Sequence, residues 1–255
     1  MTTLQYVDVE TARAARGTRI VTSALVPSPW SEAAKGLFEL ARLPALVVGR
    51  PRDASEVTRW TGIDNVPVVL HGDEPVRTCW AAIVGLAARL APSAIVPEDP
   101  AARAADMGLL ELLAGEQGIG WTGRLAMIRM SLESNGTRGF ALPVASYLAK
   151  RYGHNERDDA EALRGRIGQQ LHVLHDRLAG RSYYGGATPC AVDVYAATFL
   201  TPFYPIDDGV CPQLSGSLRV AFAAVHELFG DLVPDPLTAH RAMMFDRHLT
   251  WPIRL

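Results

Sequence analysis

The pattern of hydrophobic and polar positions changes near residue 91 of the chain. Before that point the apolar residues come in short runs, at residues 19–23, 44–48 and 66–71, which are typical of buried β-strands. After residue 100 they recur at helical spacing over long stretches, which is typical of amphipathic helices. The pattern predicts an α/β unit followed by an all-helical unit.

The first unit is predicted to alternate strands and helices. A turn rich in proline and serine follows the first strand, and the helix after it places Ala33, Leu37 and Ala41 on one face. Helices are expected at residues 30–42, 55–60 and 78–90, with Thr78 as the N-cap of the last of them, and a short edge strand is expected at residues 74–76.

The same pattern sets the domain boundaries. Residues 1–18 are polar and are predicted to form a flexible arm before an α/β domain at residues 19–91. Three prolines in residues 92–100 indicate a linker. The all-helical domain spans residues 101–255, with helices expected at residues 101–130, 142–152, 158–178, 191–200 and 218–229 and a tail at residues 240–255.

The first helical stretch after the linker is interrupted by Gly115, Gly118, Gly120 and Gly123. Each glycine costs a helix about 1 kcal/mol relative to alanine. Close packing of the backbone, or a kink beside a pocket, would explain why the chain accepts this cost.

Composition excludes several classes of protein. With 255 residues, 48% hydrophobic residues and a net charge of −2, the chain is globular with an ample core. The sequence has no basic cluster of the kind that binds nucleic acid. Its apolar runs are all much shorter than the roughly 20 residues of a membrane helix. The N-terminus lacks the apolar core of a signal peptide, so a cytoplasmic location is expected.

Several motifs are absent from the sequence. The three cysteines are far apart and none belongs to a Cys-x-x-Cys pair, which argues against a zinc ribbon or a redox dithiol. No glycine-rich nucleotide-binding motif and no Gly-x-Ser-x-Gly occurs. His172 and His175 share a predicted helix, but no acidic residue has a matching spacing, so no metal is expected.

Ser28 is the strongest candidate for chemistry. It lies between a strand and the N-terminus of a helix, where unpaired amides and the helix dipole favour an anion. Its hydroxyl could therefore stabilise a thiolate or a carboxylate. The alternative is that Ser28 is an ordinary N-cap, a role that Ser31 could share.

Two motifs carry a family resemblance. Residues 28–31 (Ser-Pro-Trp-Ser) lie where thioredoxin-like folds carry Cys-Pro-x-Cys, and Val66-Pro67 resembles the Val-cis-Pro that begins a later strand of those folds. A helix after the next hairpin and an all-helical second half are found together in one branch of them. The chain resembles a soluble glutathione transferase over nearly its whole length.

The resemblance implies a fold and an activity. The fold would be a thioredoxin-like α/β domain followed by an all-helical domain, in a homodimer. The activity would be transfer of glutathione, as cosubstrate and without a metal, to a small, largely apolar electrophile, as in detoxification. Ser28 would stabilise the glutathione thiolate, and the absence of cysteine at this position argues against thiol–disulfide exchange.

The resemblance also implies a glutathione site. It would comprise residues of the Ser28 turn, of the Val-Pro motif and of the next helix start, namely Pro29, Trp30, Val66, Pro67, Arg77 and Thr78. Arg77 departs from the family, which places an acid there. The site is either rebuilt, with Asp64 or Glu74 supplying the negative charge, or the ligand is not glutathione; Arg77 could also be a solvated surface charge.

The second-substrate pocket is expected beside the glycine-rich helix, at Glu116, Gln117, Trp121 and Arg124. Trp121 and Arg124 share a helix face and could hold an acidic aromatic substrate, or Trp121 could be part of the core. Residues 188–193 resemble the family's N-capping box, with Cys190 in place of the usual hydroxyl and Asp193 retained.

Two further functions stay open. One is an isomerase or lyase on this fold that does not use glutathione, with Arg77 binding a substrate carboxylate. The other is a non-catalytic ligand-binding protein that has kept the fold.

Overall fold

The computed structural model describes residues 3–51, 53–155 and 159–255. Its N-terminal part is a four-stranded mixed sheet in the order β1-β3-β2-β4, in which β4 alone is antiparallel to its neighbour. The strands are β1 (Leu4–Tyr6), β2 (Thr18–Ser23), β3 (Ala45–Arg50) and β4 (Val68–His71), and the helices are α1 (Val9–Ala14), α2 (Pro29–Leu40), α3 (Ser55–Thr61) and α4 (Trp80–Leu90).

Both faces of this sheet are buried, which explains the continuous apolar runs. Successive side chains of a strand point to opposite faces. Ile20 and Val47 therefore enter the core formed with α2 and α4, whereas Val21 and Val48 enter a second core with Ala12 of α1 and residues of α3.

The predicted flexible arm at residues 1–18 is wrong for the residues that the structure describes. Leu4 to Tyr6 pair in parallel with β3, and Asp8 caps α1 by accepting a hydrogen bond of 2.7 Å from the amide of Thr11. Ala12 is fully buried. A strand of three residues and a helix of six are too short to give a periodic pattern, but the strand pairs with β3, which would otherwise be an edge, and the helix packs on one face of the sheet.

Two other predictions for this region need correction. The edge strand expected at residues 74–76 is a single antiparallel bridge between Val69 and Arg77. The expected linker at residues 92–100 contains a short helix, α5 (Pro92–Ile95), whose Ile95 is fully buried. The linker is therefore packed against the domains.

The remaining chain is helical. Its elements are α6 (Pro100–Ala114), α7 (Ile119–Glu133), α8 (Leu142–Tyr152), α9 (Ala160–Leu178), α10 (Ala191–Leu200), α11 (Gly216–Phe229) and α12 (Asp235–Arg247), with short 3-10 turns at Thr201–Phe203 and Gly230–Leu232. Every residue of α10 is buried, so this helix forms the centre of the domain. The first residue expected in α9, Asp158, lies outside the described residues.

Helix α12 lies in a stretch for which no helix was predicted. Its buried residues are Leu237, His240, Met244 and Phe245, which share one face at helical spacing. Because this face contains only three apolar residues, one of them beside a buried histidine, its hydrophobic pattern is weak.

The glycine-rich stretch is two helices instead of one. The chain leaves α6 at Gly115, passes through Gln117 with φ of 63°, and enters α7 after Gly118. A Cβ on Gly118 would lie 2.7 Å from the carbonyl oxygen of Leu112, so a side chain would not fit at this turn. A turn between two helices therefore stands where the sequence allowed either close backbone packing or a kink.

Asp193 fixes the start of α10. Its buried carboxylate accepts hydrogen bonds from the amides of Cys190 and Tyr184, each at 2.8 Å, and contacts His240 Nε2 at 2.8 Å. The predicted structural role of Asp193 is confirmed.

Among the residues that the structure describes, no helix has both the length and the apolar character needed to cross a bilayer.

Candidate functional site

A cleft of about 560 Å³ separates the α/β domain from the helical domain. The α/β side contributes Ser28, Trp30, Asn65, Val66, Pro67, Thr78, Cys79 and Trp80, and the helical side contributes Glu111, Ala114, Gly115, Glu116, Trp121, Arg151 and Tyr152. The structure thus brings together Ser28, the Val-Pro motif, Thr78 and part of the predicted second-substrate pocket.

Ser28 is the N-cap residue of α2, but its side chain does not cap the helix. Its carbonyl oxygen accepts a hydrogen bond of 2.9 Å from the amide of Glu32, whereas its hydroxyl has no partner among the described residues. The hydroxyl therefore remains available at the edge of the cleft, beside the positive end of the helix dipole.

Ser31 has a different role. It is fully buried, and its hydroxyl accepts a hydrogen bond of 3.3 Å from the amide of Ser23. Ser31 therefore ties α2 to the end of β2 and is not the cap that the sequence allowed. The ordinary capping role does not explain either serine.

The Val66–Pro67 peptide bond is cis, as the motif predicted. Within the described part of the chain, neither the amide nor the carbonyl of Val66 makes a backbone hydrogen bond. Val66 lies just before β4 and lines the cleft, so both groups can pair with an extended ligand.

The start of α4 forms the third part of the α/β wall. The expected N-cap at Thr78 is wrong by one residue, because the helix begins at Trp80 and Cys79 is its N-cap, without a capping hydrogen bond from the thiol. Thr78 and Cys79 both line the cleft. A hydroxyl and the free amides of the first turn are therefore close to each other there.

Arg77 does not line the cleft. Its guanidinium donates to Glu74 at 2.5 Å and to the carbonyl oxygen of Pro75 at 2.8 Å. Hydrogen bonds from Arg89 and Arg77 lower the pKa of Glu74. The geometry therefore does not support a place for Arg77 in the glutathione site. Arg77 is also not a solvated charge, because only 19% of its side chain is exposed and it is paired with Glu74.

The two acids suggested as substitutes also lie elsewhere. Glu74 is engaged by both arginines, and Asp64 forms an ion pair with Arg50. Neither acid lines the cleft. A rebuilt site that draws its negative charge from them has no support.

Aromatic side chains form much of the cleft wall. Trp30 is anchored by a hydrogen bond of 3.0 Å from its indole nitrogen to the carbonyl oxygen of Ala114. Trp121 packs against Tyr152 with ring centroids 4.6 Å apart. Trp121 is partly exposed to the cleft, so it is a pocket residue although it also packs on the core.

Of the other predicted pocket residues, one lines the cleft and two do not. Glu116 lines the cleft, but Gln117 is directed to the surface, and only its carbonyl oxygen is used, by Thr122 and Gln170. Arg124 lies outside the cleft, with its guanidinium carbon 5.2 Å from the ring centroid of Phe140. Arg124 also lies 5.8 Å from the ring centroid of Tyr152, on which Trp121 packs, but unlike Trp121 it does not line the cleft.

Pro29 also lies outside the cleft. It lines a small neighbouring cavity of about 30 Å³, which Arg124 and Trp30 also line. Its place at the first position of α2 makes it a helix-initiating residue, because that position needs no amide hydrogen.

Several cleft residues could not be predicted from the sequence. Arg151 and Tyr152 end α8 and reach the cleft from a part of the chain without any motif, and Glu111 reaches it from α6. Arg151 is the cationic residue of this lining, and it donates 3.1 Å to the hydroxyl of Tyr147. These residues are identified as cleft residues only by the way in which the two domains pack against each other.

The prediction that no acidic residue accompanies the two histidines is wrong. Asp176 lies 3.2 Å from His172 Nε2 and 3.4 Å from His175 Nδ1. The three side chains could hold a metal ion at the surface of α9, and none of them lines the cleft.

Comparison with solved structures identifies the architecture. A glutathione transferase family member from Pseudomonas fluorescens, with two glutathione bound, has a TM-score of 0.62 and 15% identity, over 91% of this chain and 89% of the other. A glutathione S-transferase from Methylobacillus flagellatus, with glutathione bound, has a TM-score of 0.57 and 15% identity, over 91% and 96%. This chain has the glutathione transferase fold.

A plant protein with the same fold is similarly distant. The Tau class glutathione S-transferase from mango, Mangifera indica, has a TM-score of 0.53 and 15% identity, over 91% of this chain and 99% of the other. No family model matches the sequence, and no curated protein matches it. The predicted combination of a thioredoxin-like domain with an all-helical domain is confirmed.

Proposed function

We propose that the protein is a glutathione-dependent transferase that acts on a small, largely apolar electrophile. The observation that carries the proposal is the Ser28 hydroxyl, which has no partner among the described residues and lies at the N-terminus of α2 in an interdomain cleft. Glutathione is bound in the similar structures from Pseudomonas fluorescens and Methylobacillus flagellatus.

The cleft residues fit a sulfur-containing peptide. The unpaired backbone groups of Val66 suit the peptide's cysteinyl part, and Thr78 with the first-turn amides of α4 suits a carboxylate. Glutathione would supply the thiol that attacks the electrophile. Ser28 would donate a hydrogen bond to the thiolate, which favours the anion and lowers the thiol pKa.

The aromatic wall would hold the electrophile. Trp121 and Tyr152 offer flat apolar faces on the helical side of the same cleft, and Trp30 offers one on the α/β side. Because both reactants would be held in one cleft, the protein would contribute proximity as well as activation of the thiol.

Conjugation of chlorodinitrobenzene by the purified protein tests this proposal. We expect a rate that saturates in glutathione and a loss of about 100-fold or more for Ser28→Ala, in line with the loss of one charge-stabilising donor. Ser31→Ala is the matched control, because Ser31 is buried and binds the backbone of Ser23, so this variant should lose stability but retain the rate. Full activity of Ser28→Ala would remove Ser28 from the mechanism.

The alternatives have less support. The isomerase or lyase hypothesis assigned Arg77 to a substrate carboxylate, and Arg77 is bound to Glu74 outside the cleft. A non-catalytic protein would bind glutathione without turnover. A rise in Tm on adding glutathione, with no conjugation of several electrophiles, would favour that function.

We further propose that the protein forms homodimers in the cytoplasm and serves in detoxification, as the resemblance implies. Light scattering of the purified protein would test the dimer, with twice the mass of the 27.6 kDa chain as the expected result.

A further inference from the structure

A second groove lies on the helical domain, away from the interdomain cleft. It has a volume of about 530 Å³, within the range of small-molecule sites, and shares no lining residue with the cleft. Its lining comes from the second half of α12 and the segment after it, namely Arg241, Ala242, Phe245, Asp246, Leu249 and Trp251.

Arg241 is held among aromatic rings in this groove. Its guanidinium carbon lies 4.5 Å from the ring centroid of Tyr204, 5.2 Å from that of Phe245 and 6.0 Å from that of Trp251. Its Nε donates 3.2 Å to the hydroxyl of Thr201. The aromatic contacts and this hydrogen bond together fix the position of the guanidinium.

The charge of Arg241 is not matched by an acid. Among the residues that the structure describes, it forms no ion pair, and its two terminal nitrogens make no hydrogen bond. Burial lowers the pKa of Arg241, but an arginine stays protonated at neutral pH. A half-buried cation without a counter-charge favours binding of an anion.

The neighbouring side chains restrict what the anion can be. Trp251 leaves 44% of its surface exposed beside the groove, which provides an apolar platform for a flat group. Asp246 also borders the groove, but its side chain is 79% exposed and its carboxylate lies 3.9 Å from Arg247 Nε. The combination of a fixed fork of donors and flat apolar faces suits a planar ligand with one negative group.

We propose that this groove binds a small aromatic carboxylate. The carboxylate accepts hydrogen bonds from the terminal nitrogens of Arg241, and the aromatic ring packs on the exposed Trp251. The site is independent of the interdomain cleft and of its proposed reaction, since neither residue borders that cleft.

Titration with benzoate, followed by the indole N–H signals of the five tryptophans in a 1H–15N spectrum of the full chain, tests the proposal. The variant Trp251→Phe identifies the Trp251 signal by its loss. We expect benzoate to shift that signal saturably, and neutral benzamide and cationic benzylamine to leave it in place. An unmoved Trp251 signal, or an equal shift with benzamide, would overturn the proposal.

Two variants distinguish recognition of the carboxylate by Arg241 from nonspecific hydrophobic binding of benzoate. Arg241→Gln should weaken benzoate binding about tenfold or more, since it removes a charged hydrogen-bonding partner. Asp246→Asn changes an exposed side chain and should instead tighten binding about twofold by removing a like charge. If Arg241→Gln does not fold, the proposal is tested by whether Asp246→Asn binds benzoate more tightly and by whether benzylamine leaves the Trp251 signal in place. Unchanged affinity in both variants would contradict the proposal.

Discussion

At the scale of single residues, two arginines show how position decides a role. Arg77 precedes Thr78 in the predicted glutathione site, yet its guanidinium donates to Glu74 and to the carbonyl oxygen of Pro75, outside the cleft. Arg151 belongs to no motif, yet it lines the cleft from the end of α8. If the cleft binds a peptide with free carboxylates, Arg151 is the arginine that meets one of them.

The two arginines make a matched pair of variants. Arg151→Gln should weaken glutathione binding about fivefold, equivalent to ~1 kcal/mol for an exposed ion pair. Arg77→Gln should leave the affinity unchanged, because its guanidinium already bonds to Glu74. Isothermal titration calorimetry with glutathione measures both. If Arg77→Gln weakened glutathione binding and Arg151→Gln did not, Arg77 and not Arg151 would belong to the glutathione site.

Residue identity predicted some of the site and not the rest. Ser28, Val66, Pro67 and Thr78 could be found from sequence because they lie in short local motifs. Cleft residues such as Arg151 could not, because their approach depends on how the helical domain packs against the sheet.

At the scale of elements, α7 approaches α2 and α10 closely at Gly120. A Cβ there would lie 2.5 Å from Phe199 Cε1 and 2.9 Å from Trp30 Cη2. Phe199 is almost fully buried, and Trp30 lines the cleft, so neither ring has room to yield without a change at the site. This close contact explains why α7 keeps a glycine at residue 120 although alanine would stabilise the helix.

Gly120→Ala should destabilise the protein by about 1–3 kcal/mol, as overpacking does. Gly123→Ala, on the same helix, is the control: its Cβ would meet only Phe203, at 3.5 Å, and the change should stabilise by up to ~1 kcal/mol through helix propensity. Urea unfolding of the two variants measures this. Equal stabilities would show that Gly120 is not packed as described.

A buried polar cluster joins α2 to the chain after α12. Lys35 Nζ donates 2.6 Å to the carbonyl oxygen of Arg254, and Glu39 accepts hydrogen bonds from the amide and the hydroxyl of Thr250. Burial raises the pKa of Glu39 above its ordinary 4.5, and the bonds from Thr250 oppose this only in part.

This shift has a consequence for stability. Because the folded protein keeps the Glu39 proton more tightly than the unfolded chain does, the free energy of unfolding should fall as the pH rises from about 4.5 through the raised pKa. Lowering the pH from about 7 to about 5 should therefore stabilise the wild type relative to Glu39→Gln. Guanidinium unfolding at both pH values tests this. Parallel pH dependence of the two proteins would show that Glu39 does not titrate in this range.

The elements that sequence predicted well are those with clear flanking signals. Helices α8 and α10 have the expected ends, because Gly153 follows α8 and Pro189 precedes the apolar α10. β1, α1 and α12 were missed. The first two are very short, and the buried face of α12 contains a histidine that is acceptable only because Asp193 is its partner.

At the scale of the whole molecule, the glutathione transferase fold places two helix N-termini and the Val66–Pro67 turn around one cleft between the domains. The order of elements in the chain was enough to predict this architecture. It was not enough to predict the composition of the cleft wall, half of which comes from the helical domain.

The pKa of the glutathione thiol in the complex tests the central claim most directly. Ultraviolet absorption of the thiolate, followed against pH for the wild type and for Ser28→Ala, measures this pKa. The wild type should form thiolate well below the ordinary thiol value of about 8.5, and Ser28→Ala should shift the transition upward by about one unit or more, since one unit is a differential interaction of ~1.4 kcal/mol. Titration of both complexes at the pKa of free glutathione would contradict the proposed role of the Ser28 hydroxyl and of the helix that begins beside it.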